Sequence, residues 1–305
     1  MKDKSVAIIE AIRPNQWVKN LSIFAAIIFT GQLFNFPCLW RSFWAFVTFC
    51  LLSSASYLFN DLIDLDLDRR HPVKRKRPIA AGRLPQSLAL EILFFLTFLG
   101  LVLALILSLS FFFISLTFFL LHLFYSLVFK KKPLLDILAI SASFLIRVIA
   151  GEVVSSFHVP IWLLLTTLFL ALFVASAKRH AEFLRTGKET RPALARYREK
   201  LLDFYASTFA TATFLSYALF TFLEEPPSFS TGLSQFLLAN FPSALGRKWM
   251  MLTIPFVIAG IMRYGQLIYE RKEGEAPEKI ITQDKPLMAV ILGWGMMVIL
   301  IIYLI

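Results

Sequence analysis

The densest run of reactive side chains extends from Asn60 to Arg77. Four aspartates, Asp61, Asp64, Asp66 and Asp68, fall within eight residues, and Lys74, Arg75, Lys76 and Arg77 follow after a turn at His71-Pro72. On a helix, Asp61, Asp64 and Asp68 are spaced i, i+3, i+7 and share one face; Asn60 borders it, Tyr57 and Ser53 lie below it, and Asp66 points the other way. Carboxylates crowded on one face repel one another unless a cation sits among them. A set made only of oxygen donors selects a hard ion, Mg²⁺ ahead of Ca²⁺. Mg²⁺ is ordinarily held by one or two carboxylates while phosphate oxygens fill its shell. Carboxylates holding Mg²⁺, faced by Lys and Arg, therefore describe a diphosphate site. The plainer alternative, an acidic helix end in solvent, opposes the helix dipole and leaves the basic run unexplained.

Other polar groups stand in or beside apolar runs. Tyr125, Lys130 and Asp136 bracket a short hairpin, where Lys130 to Lys132 either meet an anion or merely mark one side of a membrane. Asp136, Ser143, Arg147 and Gly151 recur on one side of the following helix. Arg147 lies about 16 Å beyond Asp136 at the rise of an α-helix. An arginine that deep faces a polar cavity or a partner; the cavity is the expectation, a buried ion pair the alternative, with Glu152 a partner for some neighbouring charge. Lys178, Arg179 and Glu182 open a second charged stretch, in which Lys178 and Glu182 have the i, i+4 spacing of an ordinary helix ion pair. Lys19, beside the interfacial anchor Trp17 and Asn20, either snorkels to lipid phosphate or reaches the site. Arg263 is expected to line the same cavity. His122 reads as a packed histidine, His71 and His180 as loop residues without a chemical role, and His158 as external. Four scattered histidines do not make a zinc site.

What must position these groups is a membrane. Of 305 residues, 58% are hydrophobic, and the mean hydropathy is +0.70, more apolar than a soluble domain. A spanning helix needs roughly 20 mostly apolar residues. Nine such stretches are read, at 21–36, 43–60, 88–107, 111–128, 134–154, 161–177, 204–223, 249–266 and 287–305. Backbone groups in lipid must be satisfied within the segment, so these are helices, and the alternation of a membrane barrel is absent. The expected fold is an all-α membrane protein: a nine-transmembrane-helix bundle forming one domain over residues 1–305, with a central cavity facing the cytoplasm.

The formal net charge of +11 could suggest nucleic acid, but its distribution argues otherwise. The connections 61–87 and 178–203 hold seven and eight Lys or Arg, whereas 108–110 and 155–160 hold none. That alternation is the positive-inside pattern, with the N-terminus and the two large loops cytoplasmic, the C-terminus external, and the chain in a plasma (inner) membrane. No nucleic-acid partner is expected. No cleavable leader is expected ahead of the first span. Cys38, expected in a loop, and Cys50, within a span, suit neither a disulfide nor a thiol metal site. The connection 224–248 has room for a short interfacial helix.

The pattern N-D-x-x-D-x-x-x-D from Asn60 to Asp68 resembles the first aspartate motif of the UbiA superfamily of intramembrane prenyltransferases. Further stretches carry the likeness over nearly the whole chain: RPNQWVKN at 13–20, YLFNDLID at 57–64, HPVKRKRPIAAG at 71–82, YSLVFKKKPLLD at 125–136, LIRVIAG at 145–151, KRHAE at 178–182 and IPFVIAGIMRY at 254–264. Together they are similar to one branch, the decaprenyl-phosphate phosphoribosyltransferases. The resemblance implies a nine-helix fold and transfer of 5-phosphoribose from 5-phosphoribosyl 1-diphosphate to a polyprenyl phosphate. With the residues above, it implies Mg²⁺ held by Asn60, Asp61, Asp64 and Asp68, the three aspartates being catalytic. Donor and phosphate binding then fall to Lys19, Tyr57, Lys74, Arg77, Tyr125, Lys130, Arg147, Lys178, Arg179 and Glu182.

One departure bears on the substrate. Typical members of the superfamily carry a second DxxxD motif where this chain has Lys178, Arg179 and Glu182. A prenyl diphosphate has one anionic head. Phosphoribosyl diphosphate adds a phosphate at C5, and the acceptor lipid brings another. More anion with fewer carboxylates is the matched change, since Lys and Arg are natural phosphate ligands. The alternative in the same fold is a prenyltransferase with an aromatic or glycerophosphate acceptor. A transporter fits less well, because the charges gather at helix ends and the spans read as continuous.

Overall fold

The computed structural model describes residues 2–71, 73–186, 199–227, 229, 231–241, 247–269, 280 and 283–305. Pro72 of the expected turn and 187–198 of the second large loop lie outside the described residues. Among the described residues the chain is helical, without a β-strand. Short helices are α1 (Lys2–Ile12), α2 (Ala25–Phe29), α4 (Leu65–Arg70) and α10 (Gly232–Asn240). Long ones are α3 (Phe36–Ile63), α5 (Gln86–Leu107), α6 (Leu109–Leu127), α7 (Leu135–Ser155), α8 (Ile161–Thr186), α9 (Glu199–Leu223), α11 (Ile254–Tyr269) and α12 (Lys285–Leu304). These eight, α11 together with its lead-in from Trp249, are long and apolar enough to cross a membrane.

The first expected span, 21–36, is not one α-helix. A 3-10 helix, Pro14–Phe24, leads into α2, and the chain turns beyond Phe29. Residues three apart lie in line on a 3-10 helix. Trp17, Asn20 and Ile23 accordingly share one face, with Asn20 and Ile23 buried, while Asn15 and Leu21 are exposed. Trp17, expected as an interfacial anchor, points its indole N–H inward to the Ser54 hydroxyl at 3.0 Å. The larger 3-10 rise stretches this segment and α2 to about 30 Å, the thickness of a bilayer's hydrocarbon core.

α3 and α7 form the centre. In their most apolar windows 61% of α3 and 50% of α7 is buried, against 17% of α5. Residue types explain the difference. α5 is apolar all round and turns Phe94, Phe95 and Phe98 outward, as a lipid-facing helix does. α3 and α7 bury Ser53, Ser54, Ser56, Ser141 and Ser143. Small and hydroxylic residues let helices approach where lipid offers no hydrophobic drive to association. At Gly151 the approach is closest: a Cβ there would stand 1.9 Å from the carbonyl oxygen of Ile23. The 3-10 helix thus rests directly on the backbone of α7. On the other flank, Phe49 of α3 packs against Phe111 and Phe118 of α6, ring centroids 5.9 and 4.6 Å away.

Two boundaries differ from expectation. Cys38 lies in the first turns of α3, because that helix starts at Phe36. α8 runs on to Thr186, so Lys178, His180 and Glu182 are helical rather than in a loop. The connection 224–248 does hold a short helix, α10, whose N-terminus is closed by a reciprocal cap between Thr231 and Ser234. Short connections make α5 to α8 alternate in direction, so the C-terminal ends of α3, α6 and α8 and the N-terminal end of α7 open at one end of the bundle.

Candidate active site

At that end the aspartates divide into two groups. α3 stops at Ile63 and α4 begins at Leu65, but the hydrogen-bond ladder carries on: the N–H of Asp64 donates to the Asn60 carbonyl at 3.0 Å and that of Asp68 to Asp64 at 2.8 Å. The face therefore persists, and Asp66 on the opposite side is 87% exposed. Asp61 and Asp68 are buried, with Arg77 between them. Its Nη1 donates to Asp61 at 3.0 Å and to Asp68 at 2.5 Å. Arg13 closes on Asp61 from the other side, Nη2 donating to both carboxylate oxygens, with its guanidinium 4.9 Å over the Tyr57 ring. Burial pushes the Asp68 carboxyl above the usual carboxylate range, against the pull of Arg77 and of the neighbouring Lys74.

Asp64 and Asn60 face a different cation. Lys130, on the 3-10 turn Phe129–Lys131 between α6 and α7, sets its Nζ 2.6 Å from both Asp64 oxygens and 3.1 Å from Asn60 Oδ1. The expected four-residue metal set is thus split, because Arg13 and Arg77 take Asp61 and Asp68. Among the described residues no three His, Cys, Asp or Glu side chains gather as a metal site. Asn60 and Asp64 on their own do fit Mg²⁺. Three hard oxygens converge on one point that a cation already occupies, and most of an octahedral shell is left for water and phosphate.

Beside these groups is a cavity of about 210 Å³ between α3, α6, α7, α8 and the 3-10 helix. Arg13, Lys19, Arg77, Lys130, Arg147 and Lys178 line it, with Tyr57, Asn60 and Tyr125, and no carboxylate does so among the described residues. Asp61, Asp68 and Asp64 pair with Arg13, Arg77 and Lys130, so the six lining cations outnumber these acids by three, and low-dielectric walls focus the positive potential that results. Gln16 organises one wall, its Oε1 accepting from Lys19 Nζ at 2.6 Å and from the Tyr57 hydroxyl at 3.1 Å. Arg147 forms the deep end. Its Nε donates to Asn20 Oδ1 at 2.7 Å, and Nη1 donates to the Ser143 carbonyl at 2.6 Å and hydroxyl at 3.1 Å. Its guanidinium lies over Phe118 and Phe144, 4.6 and 5.4 Å from the ring centres. Among the described residues no carboxylate pairs with it, so of the two alternatives for Arg147 the cavity is the one found. Glu152 instead meets His158 at 2.6 Å, at the far end of α7.

Three expected phosphate-binding residues lie elsewhere. Arg179 is 1% exposed; its Nε pairs with Asp136 at 2.6 Å, Nη1 donates to Glu182, and Nη2 donates to the Tyr125 hydroxyl at 3.1 Å. Arg179 and Glu182 thus form a buried knot joining α6, α7 and α8, while Lys178, one residue back, faces the cavity. Lys74 sits beside Asp68, outside the lining. Arg263 also departs from expectation, since it donates to Asp284 at 2.7 and 3.1 Å and ties α11 to the N-cap of α12. His180 is buried on α8, with Nε2 3.3 Å from Asp203 of α9. Arg13 lines the cavity, and Gln16 and Asn20 hydrogen-bond residues that do; the residue types alone did not single out these three, which all stand in the RPNQWVKN stretch.

Known proteins share this arrangement of helices. The model of the UbiA prenyltransferase family matches residues 21–282. The chain is 34% identical to the decaprenyl-phosphate phosphoribosyltransferase of Corynebacterium glutamicum over 319 aligned positions, covering 99% of this chain and 89% of that one. It is 35% identical to the protein of the same name from Mycolicibacterium smegmatis, over 94% of this chain and 89% of that one. Among solved structures, a UbiA homologue from Archaeoglobus fulgidus bound to GPP and Mg²⁺ superposes with a TM-score of 0.68 at 19% identity, covering 96% of this chain and 99% of that one. A digeranylgeranylglyceryl phosphate synthase does so with a TM-score of 0.67 at 18% identity, covering 98% and 99%. At those identities the structures speak to fold. The relatives in sequence reach further, and with the family match across most of its length they show that the chain belongs to the UbiA prenyltransferase family.

Proposed function

We propose that this membrane enzyme transfers 5-phosphoribose from 5-phosphoribosyl 1-diphosphate to a polyprenyl phosphate, with Mg²⁺, at the cytoplasmic side of the plasma membrane. The observation that carries this reading is the cavity lined by six cations and, among the described residues, no carboxylate. A donor phosphorylated at both ends, meeting a phosphorylated acceptor, calls for that excess. A prenyl diphosphate, anionic at one end and apolar at the other, does not. The names of the relatives at 34% and 35% identity point the same way.

In this reading Asn60 and Asp64 hold Mg²⁺, which when bound stabilises charge on the departing diphosphate. Asp61 and Asp68 fix Arg13 and Arg77 at the cavity wall, where their remaining N–H groups meet phosphate oxygens. Lys130 and Lys178 neutralise phosphate from the wall formed by α6, α7 and α8. Lys19 and Tyr57, joined through Gln16, orient the donor, and Arg147 holds the anion that reaches deepest. The bond from ribose C1 to the diphosphate oxygen breaks, its electron pair leaving with diphosphate. A lipid phosphate oxygen forms the new bond to C1 from the opposite face. That oxygen is anionic at neutral pH, so no general base is required. His122, packed 4.4 Å from the Phe118 ring, needs no chemical role. The prenyl chain stays in lipid throughout.

Purified protein in detergent, given Mg²⁺, polyprenyl phosphate and donor labelled in the ribose, is expected to move label into the lipid phase, and chelator to stop it. Label that stays in water while prenyl diphosphate and an aromatic acid yield product would replace this reading with the prenyltransferase alternative.

A further inference from the structure

The Lys130 ammonium stands at the point where the Asp64 and Asn60 oxygens meet, 2.6, 2.6 and 3.1 Å away. The pair is mostly shielded from water, with side-chain exposures of 10% for Lys130 and 19% for Asp64. It is therefore screened much less than a surface ion pair. A divalent cation cannot take these oxygens while a positive nitrogen lies within hydrogen-bond distance of all three. Lys130 must withdraw, and what it meets on withdrawal decides whether metal binds. The cavity beside it adds Lys19, Arg147 and Lys178, and Arg13 and Arg77 already hold Asp61 and Asp68, so a displaced ammonium moves toward like charges. Only an incoming anion changes that balance. Lysine suits the exchange: its charge is a compact point on a flexible stem. The stem is rooted on the short 3-10 turn Phe129–Lys131 rather than within a long helix.

We propose that Lys130 makes metal binding conditional on diphosphate. It closes Asn60 and Asp64 to a free divalent cation, and yields them to the metal that arrives with a diphosphate, whose oxygens then accept the hydrogen bonds that Asp64 gave up. Lys130 is on this account a positioning residue that excludes metal without substrate. The inference rests on the placing of metal at Asn60 and Asp64 in the reading above. By linkage, diphosphate and metal each raise the other's affinity by the same factor.

The test uses the full-length protein in detergent, without donor or lipid, and measures Mn²⁺ retained by the protein with and without inorganic diphosphate. Wild type is expected to hold Mn²⁺ alone weakly and at least tenfold more tightly with diphosphate. Lys130→Met is expected to hold Mn²⁺ alone at least tenfold more tightly than wild type, with diphosphate adding little. Lys130→Arg, which keeps the charge, is expected to restore the conditional pattern. If Lys130→Met binds Mn²⁺ alone no better than wild type, while Asp64→Asn removes Mn²⁺ binding in the presence of diphosphate, the gating idea fails and the metal site stands. If Asp64→Asn leaves Mn²⁺ retention unchanged, both fail. Should Lys130→Met not fold, wild type still decides: Mn²⁺ affinity indifferent to diphosphate overturns the proposal.

Discussion

Nη2 of Arg13 donates to both carboxylate oxygens of Asp61, at 2.5 and 2.6 Å, from a left-handed backbone with φ 52° and ψ 62°. That conformation costs a non-glycine residue roughly 1–2 kcal/mol, so the surrounding contacts must hold it. One such contact is the Tyr57 ring beneath the guanidinium. Arg77 engages the same carboxylate. Asp61 is thereby committed to two arginines that line the cavity, while Lys130 engages Asn60 and Asp64.

Asp61→Asn keeps the shape of that clamp and removes its charge. The donor KM is expected to rise tenfold or more, equivalent to about 1.4 kcal/mol. The Mg²⁺ concentration for half-maximal rate is expected to stay within twofold. Asp64→Asn should instead abolish transfer at every Mg²⁺ concentration. A large shift of the Mg²⁺ dependence in Asp61→Asn would return this residue to the metal.

Neighbouring cations on α8 are expected to separate stability from binding. Arg179 is enclosed by Asp136, Glu182 and Tyr125. Removing one partner of such a buried network typically costs about 3–5 kcal/mol, because the charges left behind are uncompensated. Arg179→Met should therefore lower the thermal midpoint in detergent by many degrees. Lys178→Met should leave the midpoint nearly unchanged and raise the donor KM. Equal midpoints for the two variants would deny the knot its structural role.

Much of this arrangement was legible in the sequence, and the parts that were not share a physical cause. Asp66 pointing outward and Arg147 facing a cavity follow from helical periodicity and from the cost of charge in lipid, both local properties. The 3-10 backbone from Pro14 to Phe24 has no such local signal: Trp17, at the mouth of the first apolar run, suits an interfacial anchor, yet its indole faces Ser54, 37 residues away. The aspartates form one cluster in the sequence because their spacing is local. What divides it is not: Arg13 lies 48 residues from Asp61, and Lys130 lies 66 from Asp64. Which cation answers which acid depends on how the helices meet, and no short pattern encodes that.

Gly151 offers a test of the packing that places the 3-10 helix. Its missing Cβ lies 1.9 Å from the Ile23 carbonyl oxygen, an atom of the backbone that no side-chain rotation can move. Gly151→Ala is expected to push Asn20 away from Arg147, to destabilise the protein by about 1–3 kcal/mol as overpacking does, and to weaken donor binding. Gly295→Ala on α12 meets nothing within 4 Å and serves as the control, with midpoint and donor KM both unchanged. Wild-type behaviour of Gly151→Ala would mean that the 3-10 helix does not rest on α7.

At Arg147, stability and binding are expected to move in opposite directions. Arg147 is 3% exposed, and among the described residues its guanidinium is paired with no carboxylate. Burying a charge costs several kcal/mol; two aromatic rings, at about 2 kcal/mol each for a desolvated cation, and the hydrogen bonds to Asn20 and Ser143 offset part of it without neutralising the charge. The ligand-free protein thus carries an unbalanced cation that an incoming phosphate neutralises. Met is similar in length and uncharged, but Arg147→Met alone strands Asn20 Oδ1, at about 1–3 kcal/mol for an unsatisfied buried acceptor. Pairing it with Asn20→Leu removes that acceptor too. The double variant is expected to melt at or above the wild-type midpoint without ligand, to lose the rise in midpoint that donor gives wild type, and to have no transfer activity. A double variant that melts well below wild type would show that the charge holds the bundle together, and the deep phosphate would then need another ligand.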